Sequence, residues 1–483
     1  MKIRLDSVRR PVRVTDRLWF RACEPDHESD RGASLFRIML PPFGESTRGN
    51  LTTHTGAWLG TADTNTSTSN LEKSMQVMHA RCAGLDVHKK TVVPCVMISL
   101  PDGNVEKHIA TFGTMTPDIL AMSDWLKGHG VTHVAMESTG VYWRPIYQLL
   151  EGQFTLLVAN AQHIHRMPGR KTDINDAEWL GDLLRHGLIA PSFVPAQPQR
   201  ELRELTRHRS NVTARRAQCI NEVHRTLEGT NIKLSSVATD ITGVSATDML
   251  QHLLAGQTDP DFLAELARGV LRRKIPQLRK ALQGVVHPHQ QLILSQLLAD
   301  IEACDEQVQA LNTEIASRLV KEQEVIERLD EIPGVNRKVA EVIVAELGTD
   351  MKRFGTARRA ASWSGMCPAN RQSGGRRYAA RSRFGNKHLK SALTEAGRAA
   401  GRSKDTYLGA QYRRLTTRRG GKRAALAVGH SILTISYHLM DRGTRFEELG
   451  ADYFDRRNPE RVKDRLVARL EKLGYQVSLA PVA

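Results

Sequence analysis

The sequence predicts an α/β-plus-α chain: a mixed-sheet domain, a helical linker and a mainly helical, basic C-terminal domain. Three observations carry that expectation. Apolar β-type segments alternate with helix-forming ones between residues 81 and 185, a 3-then-4 apolar spacing runs from Leu294 to Ile315, and the positive charge is concentrated in one block. The 483 residues hold 69 Lys plus Arg against 52 Asp plus Glu, a net charge of +17. At ~150 residues per domain that length corresponds to about three domains. With 40% hydrophobic residues the chain is neither wholly disordered nor a membrane protein. Its longest apolar runs, such as residues 92–100, fall short of the ~18 residues that a membrane span needs. Residues 34–43 make no signal peptide, being short and broken by Arg37 and two prolines. Six cysteines (Cys23, Cys82, Cys95, Cys219, Cys304, Cys367) include no CxxC pair, which argues against structural zinc or disulfides. That usage fits a reducing compartment, so a cytoplasmic location is expected.

Residues 1–77 lack sustained periodicity and are rich in Ser, Thr, Gly and Asn between 44 and 70. They are expected to be disordered or an upstream extension, with Met75 and Met78 just ahead of the first ordered pattern. Residues 82–87 and 91–99 are apolar and β-rich, and Pro101-Asp102-Gly103-Asn104 supplies a turn before a third strand over 105–112. Thr116-Pro117 resembles an N-cap followed by an N1 proline, opening a helix to residue 126. A strand follows at 133–137, a helix at 145–151, a strand at 154–159 and a helix at 173–185. The order β-β-β-α-β-α-β-α matches the mixed sheet of the ribonuclease-H-like fold, although other α/β folds share pieces of it.

A helix is expected over 201–227, then a less regular helical insertion over 230–290. From Leu294 the residues Leu297, Ile301, Cys304, Val308, Leu311 and Ile315 form about three heptads, which predicts an antiparallel coiled coil or a dimer contact. An ordinary amphipathic helix on its own domain satisfies the same spacing. The expected divisions are 1–77 (extension), 78–195 (sheet domain), 196–325 (helical and coiled-coil region), 326–445 (basic domain) and 446–483 (tail).

Four carboxylates stand out. Asp86 ends the first strand in Gly-Leu-Asp-Val-His and Glu137 closes a later one in Val-Ala-Met-Glu-Ser. Asp173 and Asp176, three apart, share one face of a helix start. Acids that converge from two strand ends and a helix need a cation, and hard Mg²⁺ prefers oxygen ligands. Two such ions about 4 Å apart activate a nucleophile and stabilise the leaving oxygen of a phosphodiester. Each acid also has a plainer reading: the Asp pair favours a helix N-terminus through the dipole, and a lone Asp after a strand is a turn residue. An exonuclease of this fold carries a second acid two residues after the first. Here that residue is His88.

Residues 352–423 hold twenty Lys or Arg against two acids, Glu395 and Asp405, so this block carries the whole excess charge. Such a block reads as a nucleic-acid-binding surface, or else as a solvated basic tail. The apolar and aromatic residues within it (Phe354, Trp363, Tyr378, Phe384, Leu389, Leu393, Tyr407, Tyr412) favour a folded domain. Just upstream, Pro333-Gly334 between two helical stretches resembles a helix-hairpin-helix, with Asn336 where a second glycine is usual. Ser373 precedes Gly374-Gly375 among Arg371, Arg376 and Arg377. A serine there either hydrogen-bonds a phosphate or attacks one, with arginines stabilising the pentacoordinate charge. Ser362, Ser364 and Ser382 are nearby competitors, and residues 385–393 open a helix over phosphates.

GLDVHKK at 84–90, AMESTGVYW at 135–143 and GRKTDINDA at 169–177 resemble the DEDD-type insertion-sequence transposases, over roughly residues 80–440. The resemblance implies a catalytic domain similar to the RuvC Holliday-junction resolvase, with Asp86, Glu137, Asp173 and Asp176 as the Mg²⁺-binding tetrad. It also implies that Ser373, in a P-x(4)-SG context from Pro368 to Gly374, is the nucleophile. Lys171, Arg371, Arg376, Arg377, Arg381, Arg383, Lys387 and Lys390 are then the expected nucleic-acid contacts. Implied partners are double-stranded DNA, a noncoding guide ("bridge") RNA and further copies of the chain, as a homodimer or tetramer. The expected function is a transposase that cuts and rejoins DNA. A Holliday-junction resolvase or structure-specific endonuclease, and a non-catalytic nucleic-acid-binding protein, are the alternatives.

Overall fold

The computed structural model describes residues 76–138, 140–164, 176–368, 372–378, 382 and 384–480. The chain splits after Ala196 into two compact units. The expected extension, apart from its last two residues, lies outside the described residues, as do Asp173, Lys171, Arg371, Arg381 and Arg383.

The first unit is built on β1 (Arg81–Val87), β2 (Thr91–Ser99), β3 (Val105–Ile109), β4 (Phe112–Gly113), α1 (Thr116–Gly128), β5 (His133–Glu137), α2 (Trp143–Leu150), β6 (Thr155–Ala159), α3 (Ala161–Ile164) and α4 (Asp176–Arg185). The sheet order is β3-β2-β1-β5-β6, with β4 added to β2. Pairing is antiparallel from β3 to β1 and parallel from β1 through β5 to β6, a mixed sheet of the kind a ribonuclease-H-like domain has. Strand alternation sorts the side chains into two apolar layers. Ala83, Leu85, Val92, Val96, Val134 and Met136 pack with Ile119, Met122 and Leu126 of α1 and Ile146 and Leu150 of α2. On the other face Cys82, Cys95, Met97, Ala135 and Ala159 pack with Ala177, Leu180, Leu183 and Leu184 of α4.

Local details differ from the expectation. The third strand is two short ones, because the chain leaves β3 and rejoins β2 two residues later as β4. Thr116 is not the cap of α1: that position falls to Met115, which makes no side-chain cap bond, and Pro117 sits inside the first turn. The short helix α3 had no clear sequence signal. The described part of α4 runs from Asp176 to Arg185, and the expected start at residue 173 lies outside the described residues.

Gly84 sets how closely α4 approaches the sheet. A Cβ there would stand 2.1 Å from the Ala177 carbonyl oxygen and 2.5 Å from the Gly181 amide, both backbone atoms that cannot turn aside. Gly84→Ala is therefore expected to destabilise this unit by about 3 kcal/mol, read as a lowered denaturation midpoint.

In the second unit α5 (Gln197–Gly229) and, after an insertion, α10 (Pro288–Arg318) run antiparallel. Cross-pairs fix their direction: Arg318 to Glu201 at 2.5 Å, Arg209 to Asn312 at 3.0 Å and Arg216 to Asp305 at 2.6 Å. Of the α10 seam, Leu294, Leu297, Ile301, Cys304 and Ile315 are buried, while Val308 and Leu311 are half-buried. The insertion is more regular than its sequence suggests. It forms α6 (Leu234–Val237), α7 (Val244–Leu254), α8 (Pro260–Glu265), a 3₁₀ turn (Gly269–Lys274) and α9 (Ile275–Ala281), around a core of its own with Leu294 and Leu297.

The chain then forms α11 (Gln323–Asp330), α12 (Arg337–Leu347), α13 (Ala357–Trp363), a short ribbon of β7 (Gln372–Ser373) and β8 (Arg376–Arg377), α14 (Lys387–Ala400), α15 (Tyr407–Arg419), α16 (Gly421–Arg442), α17 (Tyr453–Arg456) and α18 (Pro459–Glu471). Ile326, Leu329, Ile343, Val344, Leu389, Leu393, Val428 and Ile432 share one core. The turn between α11 and α12 uses Gly334 at φ +88°, whereas Asn336 is extended, at φ −114°. Asn336 caps α12, its side chain accepting from the Val339 amide, rather than adopting the left-handed geometry of a second turn glycine. Among the described residues no helix is long and apolar enough to cross a membrane.

A buried charge cluster ties three of these helices together. Glu346 of α12, fully buried, accepts two hydrogen bonds from Arg207, at 2.7 and 2.8 Å, and one from Asn386, the cap of α14, at 2.6 Å. Arg203 lies 3.3 Å from the same carboxylate. Burial pushes the Arg203 guanidinium down to about 10, with Glu346 opposing the shift. Removing the anion strands two guanidinium groups, so Glu346→Ala is expected to cost about 4 kcal/mol of unfolding free energy in denaturant titration.

Candidate functional site

Each unit carries one half of the predicted chemistry. In the first, Asp86 lies two residues after Gly84 on β1 and Glu137 two residues after Ala135 on β5. Residues two apart on a strand share a face. Gly84 and Ala135 both meet α4, so Asp86 and Glu137 belong to that same face. The two strands are parallel neighbours with Leu85 opposite Met136, and each acid is the next residue along. Asp176 is the first residue of α4, adjacent to the Ala177 that touches Gly84. Two of the four predicted acids, Asp86 and Glu137, thus lie on one face at the carboxyl ends of neighbouring parallel strands, where open α/β sheets bind ligands, and Asp176 belongs to the helix packed on that face. The fourth, Asp173, lies outside the described residues.

Asp86 and Glu137 are half-buried and Asp176 is exposed. The Nε2 of His88 stands 3.1 Å from Asp86 Oδ2. Sequence reasoning used His88 only to set the chain apart from exonucleases. Its position two residues on, beyond the strand end, was the available signal that it also partners the acid. The all-carboxylate donor set suits a hard divalent cation, and DEDD-type domains use such a metal. Among the described residues alone, no three His, Cys, Asp or Glu stand close enough to hold one. Burial raises the Cys82 thiol to about 12 and that of Cys95 to about 11, which removes both as thiolate nucleophiles on this face.

In the second unit the expected Gly-rich loop is a β-hairpin. β7 and β8 pair antiparallel with Ser373 opposite Arg376 and Gln372 opposite Arg377. The two-residue turn is Gly374-Gly375, with φ +54° and +72°, and a Cβ on either would meet nothing within 4 Å. Hairpin turns of this length need positive φ at both centres to match strand twist, which explains the glycine pair. Ser373 and Arg376 are directly opposed and exposed, so their side chains leave the ribbon on one side. The dipeptide Gly-Gly between short segments was the readable signal for this hairpin.

Two of the three competing serines are less suited to attack, while Ser362 is half-buried. Ser364 is fully buried and donates to the Ala361 carbonyl at 3.0 Å, and Ser382 accepts from Lys390 Nζ at 2.6 Å. Lys390 is thus engaged, whereas Lys387, in the first turn of α14, is exposed. The aromatic residues of the block divide. Phe354, Leu389 and Leu393 are buried and Trp363, Tyr407 and Tyr412 pack against the core, but Tyr378 and Phe384 are on the surface.

Two family models match this chain. One, of a DEDD-type transposase of the IS110 group, covers residues 83–232, and the other, "Transposase IS116/IS110/IS902 family", covers 326–413. The first interval contains all four acids and the second contains Ser373 with its hairpin. No curated protein matches the chain.

Proposed function

We propose that this transposase, whose chain carries two IS110-family transposase domains, cuts and rejoins the DNA strands of an insertion sequence by pairing a Mg²⁺-binding acidic site with a serine nucleophile. The observation that carries the reading is that Asp86 and Glu137 follow paired positions on adjacent parallel strands, on the sheet face against which α4, with Asp176 in its first turn, packs. Asp86, Glu137, Asp176 and Asp173 would hold Mg²⁺, which when bound offsets their mutual repulsion and polarises phosphoryl oxygens.

Ser373 is the attacking group. Its hydroxyl oxygen forms a bond to phosphorus, the bond from phosphorus to one deoxyribose oxygen breaks, and that oxygen leaves as a hydroxyl after taking up a proton. Arg376, opposite Ser373, stabilises the added negative charge on the pentacoordinate phosphate. Attack of a second strand's hydroxyl on the phosphoserine reverses the step and frees the serine. One phosphoester replaces another throughout, so the exchange needs no external energy source.

Lys387 and the arginines at 371, 376, 377, 381 and 383 hold the backbone, together with Lys171 and Lys390, and the turn before α12 adds a helix-hairpin-helix contact. Guidance by a noncoding bridge RNA and assembly of two or four copies through the α10 seam complete the proposal, in the cytoplasm. Half-buried Val308 and Leu311 leave part of that seam for a second coiled-coil partner. The test is mass spectrometry of a protein–DNA adduct trapped in denaturant. A phosphodeoxynucleotide on Ser373 is expected; metal-dependent cleavage with no adduct would instead favour a water-using endonuclease.

A further inference from the structure

The second family match ends at residue 413, yet the chain continues into α17 and α18, which build a basic surface outside the matched interval. An aromatic cluster fixes α17 to α15. The Tyr407 ring stacks on Phe454 at 5.2 Å and meets the edge of Tyr453 at 5.1 Å, while the Tyr407 amide donates to Glu448 at 2.6 Å. The Arg414 guanidinium lies over the Phe454 ring, 5.3 Å from its centroid.

Arg414 and Arg418 are four residues apart on α15, a helix without a single acid. Arg461, Arg465 and Arg469 repeat at the same interval on α18, and residues four apart share a helix face. Lys463 and Arg456, by contrast, are neutralised by Glu460 and Asp452. Among the described residues no carboxylate comes within ion-pair distance of Arg414, Arg418, Arg461 or Arg465. The guanidinium of Arg414 is pushed below its ordinary value by partial burial, then by the positive charges of Arg418, Arg465 and Arg461, with only Asp455 opposing. Like charges gathered beside so little opposing charge are costly unless a polyanion neutralises them.

We propose that the two arginine rows of α15 and α18 form a docking surface for the phosphate backbone of double-stranded DNA. The rows contact phosphates only and add affinity without sequence preference. The inference rests on the chain being a DNA-acting enzyme and not on the serine chemistry.

The test is equilibrium binding of the full-length protein to a labelled DNA duplex across a range of salt concentrations. Arg461→Ala/Arg465→Ala should lower the slope of log K against log salt by about 1.8, since each phosphate contact contributes ~0.9. Affinity near physiological salt should fall about tenfold. Lys463→Ala, whose charge is already paired, should keep the wild-type slope. Helix α18 contains no buried residue, so the double variant is expected to fold, and circular dichroism checks this. A wild-type slope in the double variant overturns the proposal, as does a slope lost on duplex RNA but kept on DNA. Because binding alone is read, a failure of the Ser373 mechanism leaves this test intact.

Discussion

Ser373→Ala is expected to reduce strand exchange by at least ~10⁴-fold while duplex binding stays within about threefold of wild type. The large first number follows from losing the proposed attacking atom, which Ser364, buried and bonded to Ala361, and Ser382, bonded to Lys390, are poorly placed to replace. The small second number follows from exposure, since the hydroxyl supports no packing and the Gly374-Gly375 turn is independent of it. Ser364→Ala is the contrasting control. It removes one buried hydrogen bond, costs about 1 kcal/mol of stability and spares exchange. Gel assays of exchange beside fluorescence binding separate the outcomes. Undiminished exchange in Ser373→Ala would remove this serine from the reaction.

Asp86→Ala should abolish Mg²⁺-dependent cleavage, by ~10³-fold or more, and weaken Mg²⁺ binding in calorimetry. The acid occupies the end of the central strand, beside Glu137 on the parallel neighbour, and its loss removes one of the proposed metal-binding carboxylates. His88→Ala separates the metal role from the histidine contact. It removes the 3.1 Å partner while leaving the carboxylate, and a loss of tenfold or less is expected. Full cleavage in Asp86→Ala would identify the acids as structural.

The first unit was largely legible because its strands are short, nearly continuous apolar runs, two of which end at conspicuous acids. Their apolar, β-rich composition revealed β1, β2, β5 and β6. What it could not reveal was pairing over distance: that Gly84 exists to admit α4, or that β4 rejoins β2, depends on residues brought together by folding. The cap position of α1 falls to Met115, which makes no side-chain cap bond, so Thr116 lies one residue inside the helix. In the second unit the charge block pointed to a polyanion but hid Glu346. Glu346, one of two acids in α12, looks like any surface glutamate until Arg203, Arg207 and Asn386 close over it. Ser373 stands out in the sequence only by its glycines and arginines, and its hairpin was missed because two-residue strands leave almost no periodic signal.

The strict in-and-out alternation of β1 gives the sheet a second job, as an address. Its backbone pairing with β2 assigns Asp86 to the α4 side and Leu85 to the opposite side by parity alone. A slip of one residue exchanges every address at once, placing a carboxylate in the oil of α1 and α2 and a leucine among the acids. Chemistry and folding are thereby linked in this strand: a misregistered molecule buries a charge and loses its hydrophobic layer, so the error that would silence the enzyme is also the one least able to persist.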